Sequence, residues 1–182
     1  MNKVFLFLAT GFEETEAIVV IDILRRGGLE VQVVSVADDI AVTGAHGITV
    51  EADVLFDKAD FSSGKMLVLP GGMPGAAHLN EHAGLRNLLS TYYQSGKKIA
   101  AICAAPLVLG GLGILKGKKA TCYPGYESYL TGAVVTGNPV EVADTVVTGI
   151  GPGFVCEFGL TLLGELAGKA QADEVAKQFL LK

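Results

Sequence analysis

Tryptophan is absent from this 182-residue chain, cysteine and histidine occur three times each, and aromatic residues make up only 7% of it. Each scarcity excludes something. Cys103, Cys122 and Cys156 form an odd, sparse set without a CxxC pair. That pattern excludes a disulfide framework and a thiolate zinc site, and reads as reduced thiols in the cytoplasm. No motif makes a ligand set of His46, His78 and His82, so no metal centre is expected. Basic runs are missing too: 14 Lys and Arg stand against 19 Asp and Glu, a formal charge of −5. A nucleic-acid surface is therefore not expected. No apolar run approaches the ~20 residues that span a bilayer, so no membrane partner is expected either. The start "MNKVFLFLATGFEE" runs from a short apolar stretch into acids, with no small-residue cleavage site, and reads as a first strand and not a signal peptide.

What is present is apolar mass and glycine. Half the residues are hydrophobic and 24 are glycine, as in a tightly packed α/β protein with close turns. The length fits one domain over residues 1–182. Strand and helix signals alternate along the chain. "KVFLFLA", "EVQVVSV" and "KMLVLPGG" read as strands. "EETEAIVVIDILRRGG" carries Ala17, Ile18, Ile21 and Leu24 on one helical face and stops at a glycine pair. Thr10 followed by Glu13 resembles a capping box. "AVTGAHGITVEAD" looks like a hairpin laid at an edge. "LRNLLSTYYQSG" is an amphipathic helix. "KKIAAICAAPLVLGGLGIL" begins as a strand and continues as a helix. "KATCYP", "AVVTG" and "TVVTGIGPG" are short strands, and "VCEFGLTLLGELAG" and "ADEVAKQFLLK" closing helices. Buried strands separated by helices imply a mostly parallel sheet with helices on both faces. The site of such a fold lies beyond the carboxyl ends of its strands, which selects the loops 9–14, 70–76, 103–106 and 149–154.

Cys103 is the leading candidate there. "IAAI" enters as strand and "AAPLVLGG" leaves as helix, so Cys103 stands at the elbow between them. Small Ala104 and Ala105 permit a sharp turn, and Pro106 suits a first helical turn. A thiol at a helix N-terminus feels unpaired N–H groups and the macrodipole, which lower its pKa. The same context also fits a small buried hydrophobe. Cys122 and Cys156, in apolar surroundings, read as inert core thiols. Glu13 and Glu14 suit the first turn of a helix. Glu16 lies about 200° round the helix from Glu14, towards the strand ends. Pointing inward, it would have a raised pKa and could serve the thiolate; pointing outward, it is one more solvated acid. In "LPGGMPGA", the N–H groups of Gly71 and Gly72 could hold an oxyanion together with that of Ala104, or the glycines could simply make a tight turn. His46, between glycines in the hairpin, could line an entrance. No phosphate-binding motif is present.

Three segments, "GFEETEA", "VLPGG" and "AAICAAP", followed by "GPGFVCEF", resemble the DJ-one/ThiJ/PfpI superfamily, on the side of the Parkinsonism-associated deglycase and its bacterial relatives. The resemblance covers nearly the whole chain, with the motifs in the same order. It implies a flavodoxin-like sandwich, a homodimer, a reactive Cys103 at the elbow, and a contact from Glu16 to its sulfur. It also implies backbone support from Gly72 and Ala104. Members of the superfamily are credited with glutathione-independent glyoxalase activity, repair of early glycation adducts, and redox sensing or chaperone action. The expected substrate is a small aldehyde or a glycated molecule, handled without metal or organic cofactor.

Some positions depart from the superfamily pattern. Tyr123 stands where many relatives place a histidine. A phenol titrates near ~10 and is a poor base at neutral pH, so Tyr123 is expected to orient substrate at most. Ile150 replaces an arginine, Phe154 and Val155 replace hydroxyl residues, and His46 falls where some relatives carry another arginine. These replacements make the expected pocket more apolar. Ala104 excludes the protease branch, which has a histidine there. The ThiJ label, with its suggestion of thiazole-phosphate metabolism, finds no phosphate motif. The leading expectation is an α-oxoaldehyde-processing enzyme. Its rival is a non-enzymatic oxidative-stress sensor or holdase built on the same cysteine.

Overall fold

The structure, a computed structural model, describes residues 2–181. Its elements in chain order are β1 (Lys3–Leu8), α1 (Glu14–Arg26), β2 (Glu30–Ser35), β3 (Ala41–Thr43), β4 (Thr49–Glu51), β5 (Val54–Leu55), β6 (Gly64–Leu69), α2 (Gly75–Glu81), α3 (Ala83–Gln94), β7 (Lys98–Ile102), α4 (Pro106–Gly111), β8 (Lys119–Ala120), β9 (Val134–Val135), β10 (Val140–Ala143), β11 (Val146–Gly149), α5 (Val155–Ala167) and α6 (Lys169–Gln178). The unbroken apolar runs become the centre of a seven-stranded sheet of order β10-β11-β7-β6-β1-β2-β5. All pairs in it are parallel except β10 with β11.

Alternation along each strand divides the core in two. Val4, Leu6 and Leu8 of β1 face a layer with α1, α5 and α6, where Ala17, Ile23, Phe158 and Leu162 are buried. Phe5 and Phe7 face the opposite layer, which holds Leu79, Leu85, Leu89 and Val108 from α2, α3 and α4. Helices thus cover both faces, as a flavodoxin-like sandwich requires. The chain lays β2 and β5 on one side of β1, then crosses to β6 on the other. That reversal opens a crevice at the carboxyl ends of β1 and β6.

Several local expectations need correction. Ile18 is 45% exposed, while Glu16, Ala17, Val20, Ile23 and Leu24 form the inward stripe of α1. The residues three and four apart that meet the sheet start at Glu16, one turn above Val20. There is no capping box: Glu13 is the N-cap and makes no side-chain cap bond, while Thr10 sits in the preceding turn with its carbonyl against His78 Nδ1 at 2.8 Å. Helix α2 and strand β10 were not anticipated. The segment "KATCYP" is strand only at β8, which pairs with β9 outside the main sheet.

The hairpin β3–β4 is a separate two-stranded ribbon and not an edge of the main sheet. It is clamped onto the loop after β1. The Gly11 N–H donates to Thr43 O at 2.8 Å and the Ala45 N–H to Phe12 O at 2.8 Å. Glu14 completes the clamp. Its Oε1 accepts the His46 N–H at 2.7 Å and the Ile48 N–H at 3.4 Å, and its Oε2 lies 2.8 Å from His46 Nδ1. Burial opposes the charge of this carboxylate, but its hydrogen bonds to His46 and to backbone N–H groups win and hold its pKa down at about 2. A depressed carboxyl contributes stability above the unfolded value of 4.5, and loses it as pH falls through about 2. We expect Glu14→Ala to destabilise the fold by about 2–3 kcal/mol, the cost of losing charge-assisted bonds at a buried position. Hydrogen exchange at the amides of His46 and Ile48 should accelerate selectively. Unchanged exchange there would remove Glu14 from this role.

Candidate functional site

The elbow between β7 and α4 takes Cys103 into the left-handed region, at φ 64°. For a residue with a Cβ this conformation costs on the order of 1–3 kcal/mol and persists only when its surroundings hold it. Two backbone bonds do so: the Cys103 N–H donates to Gly149 O at 2.9 Å, and the Tyr123 N–H donates to Cys103 O at 2.8 Å. The side chain therefore leaves the strand direction and turns toward the loop after β6, while remaining partly exposed.

That loop admits it because residue 71 has no side chain. A Cβ on Gly71 would stand 2.5 Å from the Cys103 Cβ and 2.8 Å from Glu16 Oε2. The thiol-bearing carbon and the carboxyl thus converge on the space that the glycine leaves free. Gly72 has φ 84°, and a Cβ there would collide with the backbone of Phe12 and Glu13. The Glu13 N–H in turn donates to Gly71 O at 2.9 Å, so the loop after β1 and the loop after β6 interlock.

Glu16 is fully buried. Its Oε2 accepts the Gly71 N–H at 2.7 Å, and its Oε1 has no hydrogen-bond partner. Burial dominates and pushes the carboxyl up to about 7, against the opposing pull of the Gly71 N–H and the Cys103 thiol. The thiol moves the same way. Burial first, and then the Glu16 charge, push Cys103 up to about 12, although the N–H groups of Gly72 and Ala104 favour its anion. The expected low thiol pKa is therefore corrected. Helix α4 begins three residues past the sulfur, and burial outweighs the two N–H groups. Between about 7 and about 12 the pair holds a single proton.

The other candidates are more dispersed. The Gly71 N–H is committed to Glu16, so Gly72 and Ala104 alone direct N–H groups at the sulfur. Tyr123 lies beside the elbow, its ring edge 3.2 Å from where a Cβ on Gly151 would stand. Ile150 is half-buried after β11, its N–H donating to Pro139 O at 3.0 Å. Phe154 lines a different concavity, a groove of about 730 Å³ between α5 and α6. Cys156 lines the same groove and is not a core thiol; Cys122 is buried as expected. His46 is 66% exposed, paired with Glu14 and 3.6 Å from Glu13 Oε2. Glu13, Glu14 and His46 bring three possible ligand atoms within 4.8 Å of one another, but the Glu14 carboxylate is already taken up by the hairpin N–H groups and by the His46 ring.

A parallel sandwich with a cysteine on a strand–helix elbow, facing a buried carboxyl, places the chain among the flavodoxin-like proteins with a candidate reactive thiol at the strand ends. The family model described as DJ-1/PfpI family matches residues 2–165. The chain belongs to the DJ-1/PfpI family. It is 41% identical to Protein DJ-1 homolog A of Arabidopsis thaliana over its whole length, but spans 47% of that protein. The structure of Toxoplasma gondii DJ-1, oxidized, superimposes with a TM-score of 0.95 at 39% identity, covering 99% of this chain and 98% of that one. Two relatives carry activity in their names. Deglycase PH1704 of Pyrococcus horikoshii is 36% identical over 77% of this chain and 83% of that protein. The glutathione-independent glyoxalase DJR-1.2 of Caenorhabditis elegans is 33% identical over 93% and 90%. Among the described residues no helix is long and apolar enough to cross a membrane.

Because the folded Glu16 value, about 7, exceeds the 4.5 of an exposed glutamate, its contribution to stability is complete below pH 4.5 and is lost as pH rises through 7. The loss amounts to at most about 3 kcal/mol. Glu16→Gln should flatten that dependence, seen as a melting temperature at pH 8 several degrees above wild type. Iodoacetamide labelling of Cys103 should rise only at alkaline pH in wild type, where burial and the Glu16 charge push the thiol up to about 12, and should rise at lower pH in the variant, which lacks that charge. Identical labelling profiles would mean that the thiol and the carboxyl are uncoupled.

Proposed function

We propose that this chain processes α-oxoaldehydes such as methylglyoxal, or the early adducts they form, through Cys103 and Glu16. The observation that carries the reading is the Glu16 carboxyl: fully buried, raised to about 7, and left with one oxygen unpartnered where the thiol converges on it. A buried acid with a neutral pKa beside a nucleophile is an arrangement suited to proton transfer. The names of the deglycase and glyoxalase relatives support the same chemistry.

In this mechanism Glu16 accepts the thiol proton as the sulfur attacks the aldehyde carbon. An S–C bond forms, and the carbonyl oxygen takes that proton from Glu16, which gives a hemithioacetal and leaves Glu16 ionised again. As charge leaves sulfur for oxygen, the N–H groups of Gly72 and Ala104 can follow it. Glu16 then removes the proton from the former aldehyde carbon and returns one to the neighbouring carbon through an enediol. The product is a thioester. Water hydrolyses it to lactate and frees the thiol.

A second reading uses the same pair without turnover. Stepwise oxidation of the thiol to sulfenic and sulfinic acid, hydrogen-bonded by a protonated Glu16, would make the chain an oxidation sensor or a holdase; the oxidized state of the Toxoplasma relative favours keeping it. Lactate assay separates the two. Wild type should convert methylglyoxal to lactate, Cys103→Ser should lose at least about a thousandfold, and Glu16→Gln about a hundredfold or more. Absence of lactate from wild type, with dilute peroxide adding oxygen selectively at Cys103, would give the sensor reading the field.

A further inference from the structure

Glu13 has no part in the chemistry above, yet its backbone is built into the site. Its N–H holds Gly71 O at 2.9 Å, and its backbone nitrogen is one of the atoms that a Cβ on Gly72 would strike. Its side chain is 15% exposed, so the carboxylate lies at a rim and not in bulk solvent, 3.6 Å from His46 Nδ1. The charges that act on the reacting pair are carboxylates: Glu13 on Glu16, and Glu16 on Cys103. The nearby imidazole of His46 is drawn toward Glu14 at 2.8 Å and is 66% exposed. Acids therefore outnumber the imidazole beside the loop that carries Gly71, and the backbone of Glu13 is held there by its bond to Gly71 O.

We propose that Glu13 is a specificity-determining residue that makes Cys103 select uncharged or cationic electrophiles and reject those carrying a carboxylate or phosphate beside the reacting carbon. The proposal rests on the reading of Cys103 as the nucleophile, and it narrows the substrate class to neutral carbonyl compounds, with methylglyoxal admitted and 2,3-dioxopropanoate, the same 2-oxoaldehyde with a carboxylate in place of the methyl group, refused. The contribution of Glu13 is electrostatic, so it is felt without contact and weakens with salt.

Charge-matched methanethiosulfonates test this without requiring turnover. In each, the Cys103 sulfur forms an S–S bond to the reagent and methanesulfinate leaves with the electron pair. The rates with the aminoethyl (cationic) and sulfonatoethyl (anionic) reagents are measured at Cys103 by peptide mass analysis, and their ratio is referred to that of free cysteine. Wild type should favour the cation. Glu13→Gln should lower the ratio roughly five- to tenfold, as expected for one unit charge acting with opposite sign on the two reagents over about 10 Å at a near-aqueous dielectric, and Glu13→Lys should reverse the preference. Added salt should shrink the wild-type preference. A ratio equal in wild type and Glu13→Gln, with both folded by circular dichroism, overturns the assignment. Turnover of methylglyoxal to lactate and of 2,3-dioxopropanoate to hydroxymalonate forms the second arm. Charge-selective labelling with no turnover of either aldehyde would sink the enzymatic reading and leave the role of Glu13 standing. Equal turnover of the two aldehydes by wild type would overturn the selection proposed here.

Discussion

The burial of one carboxyl group constrains everything around the strand ends. Glu16 is completely enclosed, one of its oxygens has a single backbone donor, and the other has none. An ionised carboxylate in that position has one backbone donor and beyond it only the Cys103 thiol, a weak donor, which does not offset its burial. Keeping the proton on the pair is the alternative, and the fold accepts the resulting loss of stability at alkaline pH. A leucine or methionine at residue 16 would continue the stripe formed by Val20, Ile23 and Leu24 without that loss. The carboxyl is therefore better explained by what it does to its neighbour than by packing.

The supports of the pair come from every strand that ends nearby. The strained Cys103 is held by Gly149 at the end of β11 and by Tyr123. Gly71, after β6, supplies both the missing side chain and the N–H to Glu16. The loop after β1 locks onto Gly71 through Glu13 and carries the hairpin through Glu14. The three acids around the start of α1 meet three surroundings. At about 100° per residue Glu14 is turned away from Glu16 by about 200° and meets the hairpin, while Glu13, three residues before Glu16, stands above it as the N-cap.

Much of this could be read from the chain before any coordinates. Apolar runs without a polar break marked β1, β6 and β7, and the passage from "IAAI" to "AAPL" with no loop marked the elbow at Cys103. Residue periodicity failed where two faces competed. Ile18 fits a 3.6-residue stripe with Ile21, yet the stripe that meets the sheet begins at Glu16, and a charged residue is not what such a pattern seeks. Helix α2 was hidden because "GGMPGAAHLNE" looks like a glycine-rich turn and has only seven helical residues. The role of Glu14 was invisible for another reason: its partners are backbone N–H groups 32 and 34 residues away, and backbone donors leave no mark in a sequence. The thiol pKa was misjudged in sign because the sequence shows the N–H groups of an elbow but not the depth of the sulfur beneath it.

That sign bears on which chemistry suits the site. A thiol ionised at all working pH values is open to any oxidant that reaches it, and its low basicity also makes it a weaker nucleophile. Burial instead favours the protonated form of Cys103, with the Glu16 carboxyl beside it as the base of the mechanism proposed above. The anion then arises when an electrophile is present to receive the electron pair, and it is the more basic and more nucleophilic kind of thiolate. Such a sulfur is less exposed to adventitious oxidation between encounters and better matched to carbonyl addition, in which the charge moves at once to an oxygen near the N–H groups of Gly72 and Ala104. On the proposed reading, the balance of burial against two backbone donors suits a nucleophile called up by its substrate.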